Sequence, residues 1–262
     1  MKDVLSEIIA HKLREVDKQK ELLPLKDIEG KIAAQSYHSL SLKEALLSSP
    51  YGIIAEFKRR SPSKSWISQF ADSSIIPLQY QQNGAAALSI LTDETYFGGT
   101  VADMQQALSL TSIPVLRKEF IVDEYQIYES KMLGAHAILL IAAALTPQQS
   151  KQFTKTAMDM GLDVLLELHD ETETNHISPL NNIIGVNNRN LGSFVTDVAK
   201  SHQMIDKLPT EAVLISESGI SNPQTVYELR QAGYKGFLIG ENFMKKDYPG
   251  ESLKQFISGI HE

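Results

Sequence analysis

The chain of 262 residues contains no cysteine, which excludes disulfides, thiolate metal sites and thiol catalysis. Long apolar runs are missing as well. The longest, Ala137 to Leu145, is far short of the roughly 20 residues that a membrane span needs. Residues 1–25 mix charges of both signs and lack the apolar core of a signal peptide, so a cytoplasmic protein with no membrane partner is expected. Positive charge is not in excess. The net charge is −7, whereas a nucleic-acid-binding protein would be expected to show a basic surface. No Gly-rich dinucleotide fingerprint follows the first apolar run, where Glu56-Phe57-Lys58-Arg59-Arg60 stands instead.

The apolar share of 42% and charged share of 22% are those of an ordinary globular protein, and one α/β barrel takes about 250 residues. Eight short runs rich in Ile, Val and Leu stand out: Ile53–Phe57, Ala86–Leu91, Pro114–Arg117, Ala135–Ile141, Asp163–Leu168, Ile183–Val186, Ala212–Ser216 and Gly236–Ile239. The segments between them read as helices, among them Asp123–Leu133, Pro147–Met160 and Gln224–Ala232, the last opened by Asn222-Pro223. Gly134 and Gly233 sit where C-terminal caps are expected. Regular alternation of this kind predicts a parallel sheet covered by helices. Without a dinucleotide fingerprint, a closed (β/α)₈ TIM barrel is the better reading than an open sheet. Residues 1–48 precede the first strand, and Val4, Ile8, Ile9, Leu13 and Val16 recur at helical spacing. One domain spanning 1–262, with a helical extension at its start, is expected.

Barrel enzymes place their chemistry at the C-terminal ends of the strands, and polar residues collect there in this chain. Glu56 and Lys58 end the first run, Thr92-Asp93 the second and Lys118-Glu119 the third. Glu167 and His169 end the fifth, Asn187, Asn188 and Arg189 the sixth, Glu217-Ser218-Gly219 the seventh, and Gly240-Glu241 the eighth. Side chains alternate along a strand, so Glu56 and Lys58 share a face with Ile54, Glu167 with Leu165, Glu217 with Val213 and Ile215, and Asn187 with Ile183. Any one such residue is ordinarily solvated. Repeated on most strands, and costly to bury unpaired, they predict a site in the barrel mouth. Glu167 and His169 could ligate a metal, but no third ligand stands at a telling spacing; no metal is expected, and His169 is read as a polar rim residue. Small residues after the last two strands (Ser218, Gly219 and Gly240) suit backbone N–H groups closing on a phosphate. The basic run Lys58–Lys64 directly after a strand of an acidic protein points to an anionic substrate rather than a nucleic-acid patch.

In order along the chain, IIAEFKRRSPSK (53–64), AAALSILTDETYFGG (85–99), VLRKEFIVDEYQIYES opening the stretch 115–145, IGVNNRNL (184–191), SESGI (216–220) and the segment 238–244 resemble the indole-3-glycerol-phosphate synthase family. The resemblance implies a barrel with an N-terminal helical segment and no cofactor. It also implies cyclisation of 1-(2-carboxyphenylamino)-1-deoxyribulose 5-phosphate with loss of carbon dioxide and water. Position by position, Glu56, Lys58, Lys118, Glu167, Asn187, Arg189, Glu217 and Ser218 fall on the family's functional positions. Ser61, Gly219 and Gly240 fall on its phosphate-holding positions, with Glu241 beside them. Lys118 is expected to protonate the ketone oxygen. Lys58 is expected as the acid of the dehydration, and Glu56 or Glu167 as its base. Asn187 and Glu217 read as positioning residues, and Arg189 with Lys58 as a holder of the substrate carboxylate. Arg189 and the other lysine would lower the pKa of a catalytic lysine here, Lys58 or Lys118, and the glutamates would raise it. Phe97, Phe120 and Leu191 are candidate walls for the aromatic ring.

Two positions depart from the family's pattern. Ser65 stands where Gly is usual, which strains the loop if that position has positive φ, and Asn242 stands where Ser is frequent. Among competing readings, a phosphoribosylanthranilate isomerase relies on a thiol, which this chain lacks, and a merely binding barrel has no use for Lys118 and the Glu56/Lys58 pair together. A monomer is expected rather than an oligomer. The extension must bury its apolar stripe. It is expected at the catalytic end, helping to close the site, with a purely stabilising lid at the opposite end as the alternative.

Overall fold

The computed structural model describes residues 4–190 and 195–261. Its main sheet has eight strands: β1 (Ile53–Phe57), β2 (Ala87–Leu91), β3 (Val115–Lys118), β4 (Ala137–Ile141), β5 (Asp163–Leu168), β6 (Ile183–Asn187), β7 (Val213–Glu217) and β8 (Gly236–Ile239). Sequence neighbours pair in parallel, and β1 meets β8 through Ile53↔Phe237 and Ala55↔Ile239, closing the barrel. The strands are therefore buried on both faces, which is why they read as continuous apolar runs rather than as alternating ones. Alternate residues still divide the core in two. Phe57, Leu88, Ile138, Leu166 and Phe237 pack outward under the helices, while Ile54, Leu116, Leu139, Leu165, Ile183, Val213 and Ile215 fill the barrel.

Local chemistry sets the connections. Thr146 caps the helix Pro147–Asp159 in a capping box with Gln149, and Asn222 caps Pro223–Ala232. Gly134 and Gly233 adopt φ of 89° and 123° on leaving their helices, a backbone that side-chain-bearing residues avoid. After β1 the chain makes an antiparallel hairpin, Arg60–Ser61 against Ser65–Trp66, that the hydrophobic pattern does not show. Ser65 turns it at φ 54°, so the position does require positive φ, and serine holds it under strain.

The N-terminal extension is divided between the two ends of the barrel. Helix α1 (Val4–Leu22) lies across the C-terminal ends of the strands. Helix α2 (Leu25–Ala33) packs Ile28 with Val16 and Tyr125 beside the barrel. Helix α3 (Leu42–Ser48) plugs the opposite end. Its cap Ser41 and the N–H of Lys43 both bond Asp163, the first residue of β5, while Leu42 and Leu46 join the barrel interior. The apolar stripe of α1 differs from the expected one. Leu5, Ile8, Lys12 and Val16 form the buried face, Val4 and Ile9 are half-buried, and Leu13 is 44% exposed. The buried line takes in a lysine, whose charge hides it from any apolar pattern.

Candidate active site

The strand ends and their loops enclose a cavity of about 300 Å³ beneath α1. Glu56, Lys58, Lys118, Glu167, Asn187 and Glu217 line it from the strands. Ser61, Arg189, Ser218, Gly219, Gly240, Glu241 and Asn242 line it from the loops. Phe97 and Phe120 form one wall with ring centroids 5.9 Å apart. Leu191, the third expected wall residue, lies outside the described residues. Val4, Leu5 and Ile8 of α1 complete the apolar lining. The stripe in the sequence shows that this helix buries a face but not what that face covers.

Lys118 is the centre of the charge arrangement. Its Nζ donates to Glu167 Oε2 at 2.9 Å and to Glu217 Oε2 at 2.6 Å. Burial alone would lower the pKa of this ammonium, but Glu167, Glu217 and Glu56 outweigh burial and hold it above the ordinary lysine range. The lowering expected from Arg189 does not operate: its guanidinium is engaged by Glu241 at 3.5 Å, and the groups that set the Lys118 pKa are burial and the three glutamates. Lys118 is thus a fully protonated acid held by two carboxylates.

The two glutamates differ. Burial pushes both toward the neutral form. In Glu167 this is reversed by Lys118 and His169, and Asn187 Nδ2 also donates to Oε1 at 3.1 Å, so the carboxylate stays ionised well below its usual range. In Glu217 burial prevails over the pull of Lys118, and the nearby Glu167 anion adds to the rise. Glu217 Oε1 is buried without a hydrogen-bond partner. It occupies space left by Gly185 on β6, where a Cβ would overlap it and would stand 3.0 Å from Leu165 Cδ1. One ammonium between two buried carboxylates leaves one of them inclined to hold a proton, and that one is Glu217.

Across the mouth, Lys58 Nζ meets Glu56 Oε1 at 2.6 Å. Gly240 is bare because a Cβ there would overlap the Glu56 carboxylate. This adds a second reason for the glycine to the expected approach of an anion. Only part of the basic run faces the mouth. Arg59 makes a two-pronged pair with Asp103 at 2.6 and 2.7 Å and stacks over Phe57, while Arg60 lies over Trp66. Arg189 reaches Ser63 at 3.4 Å, and Glu241 also takes Lys64 at 3.4 Å. Ser218, at φ 67°, and Gly219, at φ 77°, turn the chain after β7.

His169 departs from its sequence reading. It is 7% exposed, behind Glu167 rather than on the rim, with Nε2 3.2 Å from Glu167 Oε1. The signal available was its spacing, since two residues past Glu167 places it on the same face. Lys12 was not foreseen. It is 2% exposed and pairs with Asp93 and Glu119 at 3.1 Å each and with Glu15 at 2.9 Å. Among the described residues, no group of three His, Asp or Glu is placed to hold a metal ion, and no helix is long and apolar enough to cross a membrane.

Comparison with known proteins gives a consistent picture. The family model described as indole-3-glycerol phosphate synthase matches residues 5–256. A protein of that name from Bacteroides thetaiotaomicron is 52% identical over 260 residues, covering 99% of this chain and 100% of the relative. Another, from Caldanaerobacter subterraneus, is 40% identical over 258 residues, covering 98% of each. Among solved structures, a mutant tryptophan synthase alpha-subunit from Pyrococcus furiosus superposes with TM-score 0.59 at 14% identity, covering 80% of this chain and 97% of that one. Thiamine phosphate pyrophosphorylase from the same organism gives 0.60 at 10% identity, covering 82% and 97%. At such identities these two structures speak for the barrel fold alone.

Proposed function

The chain belongs to the indole-3-glycerol phosphate synthase family, and from that premise we propose which of its residues perform the reaction. The enzyme is a carboxy-lyase of tryptophan biosynthesis. Its substrate is a phosphorylated small molecule, 1-(2-carboxyphenylamino)-1-deoxyribulose 5-phosphate. The observation that carries the assignment is Lys118 Nζ seated between Glu167 and Glu217 on the floor of the mouth cavity.

In the first step the ring carbon bearing the carboxylate attacks the ketone carbon. Lys118 gives its proton to the ketone oxygen, which becomes a hydroxyl. The ring carbon then loses carbon dioxide, and the electron pair of the broken bond restores the aromatic ring. In the last step Lys58 protonates that hydroxyl, which leaves as water. Glu167 removes the proton from the neighbouring carbon that carries the nitrogen, completing the indole. A base must be ionised at working pH, and Glu167 is held so by Lys118, Asn187 and His169. Asn187 and Glu217 position these groups. Glu56 orients Lys58. Arg189 and Lys58 hold the substrate carboxylate until it departs, with Glu241 orienting Arg189. Phe97 and Phe120 wall the aromatic ring. Ser61, Ser218, Gly219 and Gly240 hold the phosphate, as small residues and turning backbone allow.

The same reading makes the enzyme cytoplasmic, because a charged phosphate ester crosses a bilayer only at great cost, and we take it to act as a monomer. The test is direct. Purified protein incubated with the carboxyphenylamino sugar phosphate is expected to generate indole fluorescence and release one carbon dioxide per turnover. Substrate consumed without either product would overturn the assignment.

A further inference from the structure

His169 is a buried ring with an anion at each nitrogen. Nε2 stands 3.2 Å from Glu167 Oε1, and Nδ1 stands 3.7 Å from Glu173 Oε2. Glu173 Oε2 also accepts the backbone N–H of His169 at 2.6 Å, which fixes that carboxylate beside the ring. Neither ring nitrogen has a well-aimed hydrogen bond, so the contacts are those of charge. A neutral imidazole carries one N–H and one lone pair. Whichever nitrogen held the lone pair would face a carboxylate oxygen in a buried setting. Only the imidazolium presents a proton to both.

The surrounding charges agree. Strand β5 supplies Glu167, and the short helix Glu171–His176 with its cap supplies Glu173 and Asp170. His176 of that helix turns away to Ser150. From β6 the neighbour is the neutral Asn187. From the helix Ala199–Met204 comes Lys200, whose Nζ is engaged by the Asn187 carbonyl at 3.1 Å. Lys118 lies on the far side of Glu167. Carboxylates therefore dominate the ring's surroundings. Burial pulls the imidazole down, but the two glutamates raise it to about 9.

We propose that His169, held as an imidazolium by Glu173, is a positioning residue that fixes the Glu167 carboxylate in the orientation its role as base requires. The inference rests on the assignment of Glu167 made above. The sign follows from the charge: as pH rises through about 9 the ring loses its proton, Glu167 loses that support, and activity falls. Lys118 is held above the ordinary lysine range and does not titrate in that window, and Glu217, raised to about 8, titrates below it and is common to the parent and both variants.

The test is the pH profile of kcat/KM, which reports groups of the free enzyme, for the parent, His169→Gln and Glu173→Gln. The parent is expected to show an alkaline limb near pH 9. His169→Gln should lose about tenfold in kcat, a fraction of the hundredfold or more that a general base contributes. Its KM should stay within about twofold, and the limb should vanish. Glu173→Gln removes an anion from the ring and should move the limb down by about one pH unit or more. A folded His169→Gln enzyme with the parent's kcat and profile would overturn the proposal. So would an unmoved limb in folded Glu173→Gln, which decides the matter if the histidine variant does not fold. Glu167→Gln separates the two claims. Parental kcat in that variant removes the base assignment and the proposal with it. Loss of activity there beside an indifferent His169→Gln removes the proposal alone.

Discussion

Lys118 is the residue on which the chemistry turns, and its replacement separates catalysis from folding. In Lys118→Met the two carboxylates lose their shared ammonium. Glu217 already leans toward protonation and Glu167 keeps Asn187 and His169, so the site can absorb the change. Turnover is expected to fall at least about a hundredfold, the lower range for general acid–base catalysis, while the thermal melt stays cooperative. Steady-state fluorescence and circular dichroism check both, and turnover within threefold of the parent would remove Lys118 from its role. Its place at a strand end and the family resemblance made Lys118 legible, and side-chain alternation put Glu167 and Glu217 on the inward parity of their strands, where the structure also has Lys118 beside Leu116. Gly185 was not legible. A glycine in a strand carries no chemistry of its own, and its purpose depends on Glu217 from the next strand.

At the scale of the element, α1 joins the barrel through a buried charge as well as through its apolar face. Lys12 binds Asp93 and Glu119 together. Asp93 caps the short helix Glu94–Phe97 by accepting the N–H groups of Tyr96 and Phe97, and Glu119 accepts the N–H of Phe120. One ammonium therefore holds both aromatic walls. Lys12→Met leaves two buried carboxylates short of their cation, which costs about 3 kcal/mol where one partner of a buried pair is removed. The expected outcome is a loss of that order in denaturant unfolding, with KM rising more than kcat falls. An unchanged KM in a destabilised protein would make Lys12 a purely structural clamp. The helical spacing of α1 was readable from residues 4–16, but its docking was not. An amphipathic pattern reports that a face is buried, whereas the partner surface depends on loops distant in sequence, and a lysine on the buried face reads as solvent-exposed. For the same reason the opposite end entered only as an alternative for the whole extension, and its division between the two ends was not foreseen, since Ser41 finds its partner Asp163 more than a hundred residues away.

For the whole molecule, the eight apolar runs fixed the strand order, because each parallel strand buried on both faces is short, continuous and followed by a helix. The runs Ile53–Phe57, Asp163–Leu168 and Gly236–Ile239 match the observed strands to the residue. Ala86–Leu91 and Ala135–Ile141 begin one and two residues before theirs, and three others end one residue early, where a polar catalytic-end residue, Lys118, Asn187 or Glu217, continues the strand. That placement also shapes the field seen by an incoming substrate. The chain carries a net charge of −7, which repels a molecule bearing a carboxylate and a phosphate. The mouth nevertheless offers Lys58, Arg189 and Lys245 on its lining, with Lys64 beside Glu241. Screening decides between the two. At physiological ionic strength charges act over about 8 Å, so an arriving anion responds to these cations, and to Glu56 and Glu241 that pair with Lys58, Arg189 and Lys64, rather than to acidic groups on the far surface. Raising potassium chloride from about 0.05 to 0.5 M should therefore lower kcat/KM several-fold, as expected for steered encounter. The buried trio of Lys118, Glu167 and Glu217 is little screened, so kcat should hold within about twofold. Phosphate and sulfate are omitted because they would compete for the anion site. A rise of kcat/KM with salt would mean that the overall negative charge governs approach, and the role given to the basic rim would fall.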